Sequence, residues 1–180
     1  MVPEAELQQT EHGLVPKGRG WYVLNARDAC WRDRDGRGVL CHFEENQDFQ
    51  QLGIHLMTLW PGQPMSMYHW EADQEDFLVL AGEALLIVEG DERPLRAWDF
   101  VHCPPGTKHV IVGAGDSRCL LVAVGARDKS VGENWGGYTV DETAAKHGAS
   151  AEAPTTKPPE AYARVPKREP SRCGEDWLPS

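Results

Sequence analysis

Apolar positions fall in short runs across the middle of the chain. The runs are Leu52–Trp60, Met67–Glu71, Phe77–Leu80, Ala84–Val88, Asp99–Cys103, Val110–Val112 and Cys119–Val124. Pro and Gly punctuate them at Pro61-Gly62, Gly82, Gly90-Asp91, Pro104-Pro105-Gly106 and Gly113-Ala114-Gly115. Many short strands at close spacing, without a helical period, predict an all-β sandwich or barrel. The pieces leave no room for the crossover helices of a parallel α/β sheet.

The flanks read differently. Residues 1–18 are polar and carry no period, which predicts a loose arm. Trp21–Leu24 and Val39–Phe43 are short apolar pieces on either side of the turn signal Asp33–Gly36, and predict a β-ribbon. The stretch Val140–Ser180 holds six of the 13 prolines. Asp141 is placed to cap a short helix over 142–147 with Gly148 as its stop. Pro158–Arg164 predicts another turn or two, and the rest reads as extended chain. Trp177 and Leu178 either dock on the body or fray with the tail. There is no internal repeat, so one barrel is expected. The division is an N-terminal arm with extra strands (1–51), a barrel (52–126) and a C-terminal extension that is partly extended with short helices (127–180).

Composition narrows the classes. With 180 residues and 41% hydrophobic positions the chain can bury a core. No apolar run approaches the ~20 residues that span a bilayer, so no membrane segment is expected. The acidic start, Met-Val-Pro-Glu-Ala-Glu, lacks a leader's apolar region, and a cytoplasmic protein is expected. Five cysteines at wide spacing, with no Cys-x-x-Cys, predict neither a disulfide framework nor a zinc ribbon. Cys103 and Cys119 read as small core residues. The formal charge of −10 argues against a nucleic-acid partner. That charge is local: residues 52–126 hold ten acids against four bases. Glu71, Asp73, Glu75 and Asp76 fall within six positions, and no Lys or Arg stands between Trp70 and Glu92. Glu83, Glu89, Asp91 and Glu92 read as a solvated sheet edge that resists edge-to-edge pairing.

The candidate chemistry lies in the same stretch. Residues two apart on a strand share a face, so His69 and Glu71 project together. Glu75 opens the next strand after a turn at 72–74, and Pro104-Pro105-Gly106 sets His109 just beyond a tight turn. Two imidazoles and two carboxylates are N and O ligands suited to a divalent Fe, Mn, Ni or Zn ion. His12, His42, His102 and His147 read as hydrogen-bonded or surface residues, and His55 as core packing with a pocket within its reach. Trp60, Trp70 and Trp98 cluster around these motifs and read as core or interface groups.

These residues resemble the two motifs of the cupin superfamily. The first, G-x5-H-x-H-x3,4-E-x6-G, is similar to Gly62, His69, Glu71, Glu75 and Gly82. The second, G-x5-P-x-G-x2-H-x3-N, is similar to Pro104, Gly106 and His109. The chain departs from them in four places. One extra residue stands between Gly62 and His69, Glu71 replaces the second His, Trp98 the first Gly of the second motif, and Gly113 its Asn. The resemblance implies a double-stranded β-helix, or jelly-roll barrel, of six to eight strands with one metal inside. Its ligands would be His69, Glu71, Glu75 and His109. It also implies a homodimer built with N-terminal strands and a small-molecule ligand in the barrel.

Two roles stand open for Glu71. As a ligand it makes the site more negative and disfavours an anion directly on the metal. Off the metal it is an acid or base beside a two-His, one-carboxylate triad. Two function classes stand open as well. One is a metal-dependent enzyme on a small organic substrate, of oxygenase or isomerase/lyase type. The other is a binding module without turnover that holds a metal or a small ligand such as a sugar.

Overall fold

The computed structural model describes residues 1–45, 49–128 and 134–179. Strands dominate. The N-terminal part holds β1 (Glu6–Thr10), β2 (Gly13–Lys17), β3 (Cys30–Asp33) and β4 (Val39–His42). The middle holds β5 (Leu52–Leu59), β6 (His69–Glu71), β7 (Glu75–Ala81), β8 (Glu83–Val88), β9 (Asp91–Arg96), β10 (Phe100–Cys103), β11 (His109–Ala114) and β12 (Cys119–Ala126). β13 (Gly136–Tyr138), helices α1 (Glu142–Lys146) and α2 (Pro158–Ala161), and β14 (Glu169–Arg172) follow. No helix among the described residues is long and apolar enough to cross a membrane.

β1 and β2 pair as a separate two-stranded sheet, and strands β3–β14 form two facing antiparallel sheets, the jelly-roll arrangement that the resemblance implies. One has the order β10-β7-β12-β5-β4-β3-β14 and the other β13-β6-β11-β8-β9. Between them lies a core that includes Met57, Leu59, Phe77, Val79, Ile87, Ile111 and Leu121. In β7 the residues Phe77 and Val79 are buried and alternate with half-buried neighbours, as a strand with one face on the core requires. β11 is buried over five consecutive residues, with Ala144 of α1 and Ala149 in the same core cluster. The docking of Ala144 explains how so short a helix persists, since five residues are too few to be helical alone. Asp141 caps it as expected, its carboxylate accepting from the Ala144 amide at 2.7 Å, and Gly148 ends it at φ +64°.

Several stretches differ from the expectation. The N-terminal arm is a hairpin, β1 on β2, rather than loose chain. Its outward face is polar, and that masks the strand period. Trp21–Leu24 is not a ribbon strand. The hairpin around the Asp33–Gly36 turn is β3 on β4, with Trp31 opposite Cys41. β9 reads Asp-Glu-Arg-Pro-Leu-Arg and is exposed at five of its six positions. It sits at a sheet edge, the place where charges and a proline are tolerated. The tail does not fray: β14 pairs with β3, Leu178 is buried, and Trp177 packs edge-on against Trp31 with ring centres 5.5 Å apart. Cys103 and Cys119 are buried, as their apolar surroundings predict.

Two glycines mark where backbones approach closely. Gly82, the last residue of the first motif, has φ +74°, and a Cβ there would lie 2.2 Å from the Arg118 carbonyl oxygen. Gly113 stands where the second motif has Asn. A Cβ there would lie 2.2 Å from the Trp60 carbonyl oxygen, and its carbonyl accepts from the Gly62 amide at 2.8 Å. The departure at Gly113 thus belongs to the packing of the β5–β6 connection. Trp98, in the other glycine position, keeps the left-handed backbone at φ +76° and is 74% exposed. It therefore fills no core, which leaves the interface role of the two expected for it.

Candidate metal centre

The five-stranded sheet supplies two imidazoles to one face. His109 of β11 lies directly opposite His69 of β6, and their ring centres are 5.0 Å apart. Tyr138 of β13 flanks His69 on its other side. The turn before β11 is held by the Thr107 hydroxyl, which donates to the Pro104 carbonyl at 2.8 Å. It is tied to β6 by the Gly106 amide, which donates to the Glu71 carbonyl at 2.7 Å. The seven-stranded sheet supplies the carboxylate. Glu75 opens β7, and Phe77, two residues on and on the same face, packs against the His109 ring. The centre thus spans the sandwich, with imidazoles on one side and a carboxylate on the other.

The hydrogen bonds fix which atoms face inward. His69 Nδ1 lies 2.8 Å from the Met67 carbonyl oxygen, and His109 Nδ1 lies 3.0 Å from that of Thr107. A carbonyl only accepts, so each Nδ1 carries a proton and donates it, and each Nε2 points to the interior. Glu75 Oε2 is 3.2 Å from His109 Nε2 and 3.6 Å from His69 Nε2. Glu75 Oε2 and His109 Nε2 are both buried and have no hydrogen-bond partner. With neutral rings, three acceptors converge with nothing to donate to them.

Such a cluster calls for a positive charge at its centre. Burial opposes charge on His109, but Cys103 and Glu75 beside it outweigh burial and push the imidazole up to about 10. Burial also opposes charge on Glu75, and His109 and His69 outweigh it, holding the carboxyl at about 2. A proton on His109 or a cation among the three groups meets the same demand. The donor set fits a divalent transition metal: the ligand atoms of His69, Glu75 and His109 all lie within 4.8 Å of one another, and both rings are oriented by main-chain carbonyls.

Glu71, the fourth residue of the expected set, stands beside this group rather than within it. Its Oε1 is 3.8 Å from His69 Nε2. Burial and the nearby Glu75 carboxylate push its pKa up to about 7.

Glu71, Glu75 and His69 open onto a cavity of about 720 Å³. Its walls also carry His42, expected as a hydrogen-bonded or surface residue, His55, expected in the core with a pocket within its reach, and Arg34, Arg168 and Tyr162, which no motif marks. The His42 and His55 rings pack edge-on at 4.2 Å. Alternation could have placed His55 on the interior face of β5; nothing local signals Arg34 or Arg168, which come from turns outside the barrel. His102 and His147 are surface groups, paired with Asp76 at 2.7 Å and Glu92 at 2.9 Å.

The Cupin domain family matches residues 55–125. No curated protein matches the chain. Among solved structures, the chain is similar to a putative sugar phosphate isomerase from Acidithiobacillus ferrooxidans, at 28% identity and a TM-score of 0.47. The match covers 51% of this chain and 60% of that one. A sugar phosphate isomerase of the cupin superfamily from Silicibacter pomeroyi is 26% identical at a TM-score of 0.47, over 53% of this chain and 62% of that one. The chain thus spans less than two thirds of either isomerase. A Cupin 2 conserved barrel domain protein from Salinispora arenicola matches at a TM-score of 0.50 and 22% identity, over 64% of this chain and 94% of that one, a likeness of fold. The matched residues run from β5 to β12 and hold both motifs with their converging side chains, so it is this barrel segment that carries the likeness to the Cupin domain family.

Proposed function

We propose that the barrel binds one divalent transition metal through His69, Glu75 and His109 and that the protein is a metal-dependent enzyme acting on a small organic molecule. The observation that carries this reading is the pair of buried, partnerless acceptors, Glu75 Oε2 and His109 Nε2, beside an inward-facing His69 Nε2. Fe, Mn, Ni and Zn all suit two imidazoles and a carboxylate. Held by these three residues, such a metal would supply Lewis-acid chemistry to a substrate in the cavity.

The chain's own residues do the rest. The Met67 and Thr107 carbonyls hold the two rings in register. Phe77, packed on His109, keeps water from the inner side. Glu71 lines the cavity, within reach of a ligand and outside the three-residue group, and takes or gives a proton there. Proton movement at Glu71 suits an isomerase or lyase, and open metal positions suit an oxygenase. Residues 52–126 form the reacting barrel in this reading, and 1–51 and 127–180 are extensions packed on it. Two copies pair through the N-terminal strands, which sedimentation velocity tests directly.

Elemental analysis of the purified protein tests the metal. Close to one transition-metal ion per chain is expected. A protein that holds none and cannot be reloaded contradicts the reading.

A further inference from the structure

One wall of the cavity carries a positive charge that the metal centre does not use. Arg34, in the turn after β3, and Lys167 and Arg168, just before β14, all line it. Arg37 lies behind them, buried, its guanidinium donating to the Ser66 carbonyl at 3.1 Å and the Gly148 carbonyl at 2.6 Å. Arg168 donates only to carbonyls as well, those of Gly38 at 3.2 Å and Met65 at 3.3 Å. Among the described residues no carboxylate lies within 4 Å of Arg34, Arg37 or Arg168. The arginine and lysine ion pairs among the described residues are made by other cations.

Arg34 is the most exposed to a ligand in its bonding. Its guanidinium carbon sits 4.7 Å above the centre of the Tyr162 ring. The Tyr162 hydroxyl is in turn pinned by the Met67 amide at 3.0 Å. The buried Arg34 Nε has no partner. The ring thus holds the planar group in place while its donors remain to be used. Burial, and then the nearness of Arg34, push Arg168 down to about 10, with Asp33 among the groups that ease its charge. Unpaired guanidinium groups this close repel one another. They are tolerated where an anion joins them.

We infer that the cavity binds its ligand by an anionic head group, a carboxylate or phosphate monoester, held by Arg34 and Arg168 with Lys167 at the edge. Leu40, Met57, Met65 and Tyr138 line the space between and suit a short apolar body. The inference deepens the reading above, because it names the substrate class of the same cavity: small organic anions. It also fits a centre already holding Glu75 and Glu71. Two carboxylates there disfavour an anion directly on the metal, and the arginine wall gives the charged end another place.

The test is anion binding by calorimetry at low ionic strength, with inorganic phosphate and acetate as probes. It is run on the protein as purified and again after chelator treatment. The arginines need no metal, so binding persists in both states, and failure of the metal reading is seen separately. Saturable binding is expected, weakened about tenfold or more in Arg34→Gln and less in Arg34→Lys. Arg164→Gln, at an exposed arginine paired with Glu152 outside the cavity, should leave binding unchanged. Tighter phosphate than acetate assigns a phosphate head, and the reverse a carboxylate. No saturable binding of either probe, or equal weakening by the Arg34 and Arg164 variants, overturns the inference.

Discussion

Among the described residues two His–Glu–His clusters stand out, and they are built differently. His69, Glu75 and His109 bring their ligand atoms within 4.8 Å of one another, and so do His42, Glu44 and His55. In the second cluster the carboxylate is already satisfied. Both Glu44 oxygens accept from the Arg127 guanidinium, and one also takes the Phe49 amide at 3.0 Å. The cation that cluster needs is an arginine of the chain itself. In the first cluster Glu75 Oε2 has no donor, and both Nδ1 atoms are committed to carbonyls. The same residue types thus make a structural ion pair in one place and the candidate metal centre in the other. What decides is where the positive charge comes from.

The contrast can be broken most sharply at the imidazoles. His109→Ala should abolish turnover and lower metal affinity more than about 100-fold, whereas His55→Ala should leave one metal per chain in place; metal titration of each variant reads the difference. Equal loss in both would erase the distinction between the clusters. Next comes the proton. Glu71→Gln should keep the metal and lower turnover by about 10²–10⁴-fold. If the metal leaves with Glu71, that residue is a ligand.

The arginine-filled cluster should instead show itself in stability. Glu44→Gln should cost about 2 kcal/mol in denaturant unfolding with metal content unchanged, because a buried carboxylate is taken from its guanidinium. Burial raises the Glu44 pKa, and the bonds from Arg127 and Phe49 outweigh it, so the group sits below its ordinary 4.5. The stability it contributes is therefore full above that range and lost as pH falls through the lower folded value. The smallest effect is one seen only in acid. Burial, and then His42, hold His55 down at about 4 against an ordinary 6.5. Stability that depends on neutral His55 is present above pH 6.5 and lost as pH falls through about 4. His55→Leu should flatten that part of the acid unfolding curve and leave pH 7 unaffected.

The two clusters also differ in how far they were legible from residues alone. His69, Glu75 and His109 lie on strands with regular alternation and a tight Pro-Gly turn, so spacing alone brings them to one interior. Glu71 obeys the same alternation, and its Oε1 comes to 3.8 Å from His69 Nε2 against 3.6 Å for Glu75 Oε2, so alternation brings both carboxylates to the site without dividing ligand from acid or base. Glu44 and Arg127 are 83 residues apart. Their pairing, and the nearness of Arg34 to Arg168, depend on how β3, β4 and β14 add to the sheet, which no local pattern states. Strand β9 was hidden by its own charges, and β1 and β2 by a polar face. A sheet edge needs no hydrophobic period, and the period is what marks a strand in sequence.

The central claim is that Glu75, His69 and His109 are held apart for a cation. Titration of chelator-stripped protein with Mn(II) and with Zn(II), followed by calorimetry at neutral pH, addresses it most directly. The account predicts one saturable site per chain for at least one of these ions, lost in Glu75→Gln and retained in Glu44→Gln. No saturable site for either ion, or a site that survives Glu75→Gln unchanged, would contradict it.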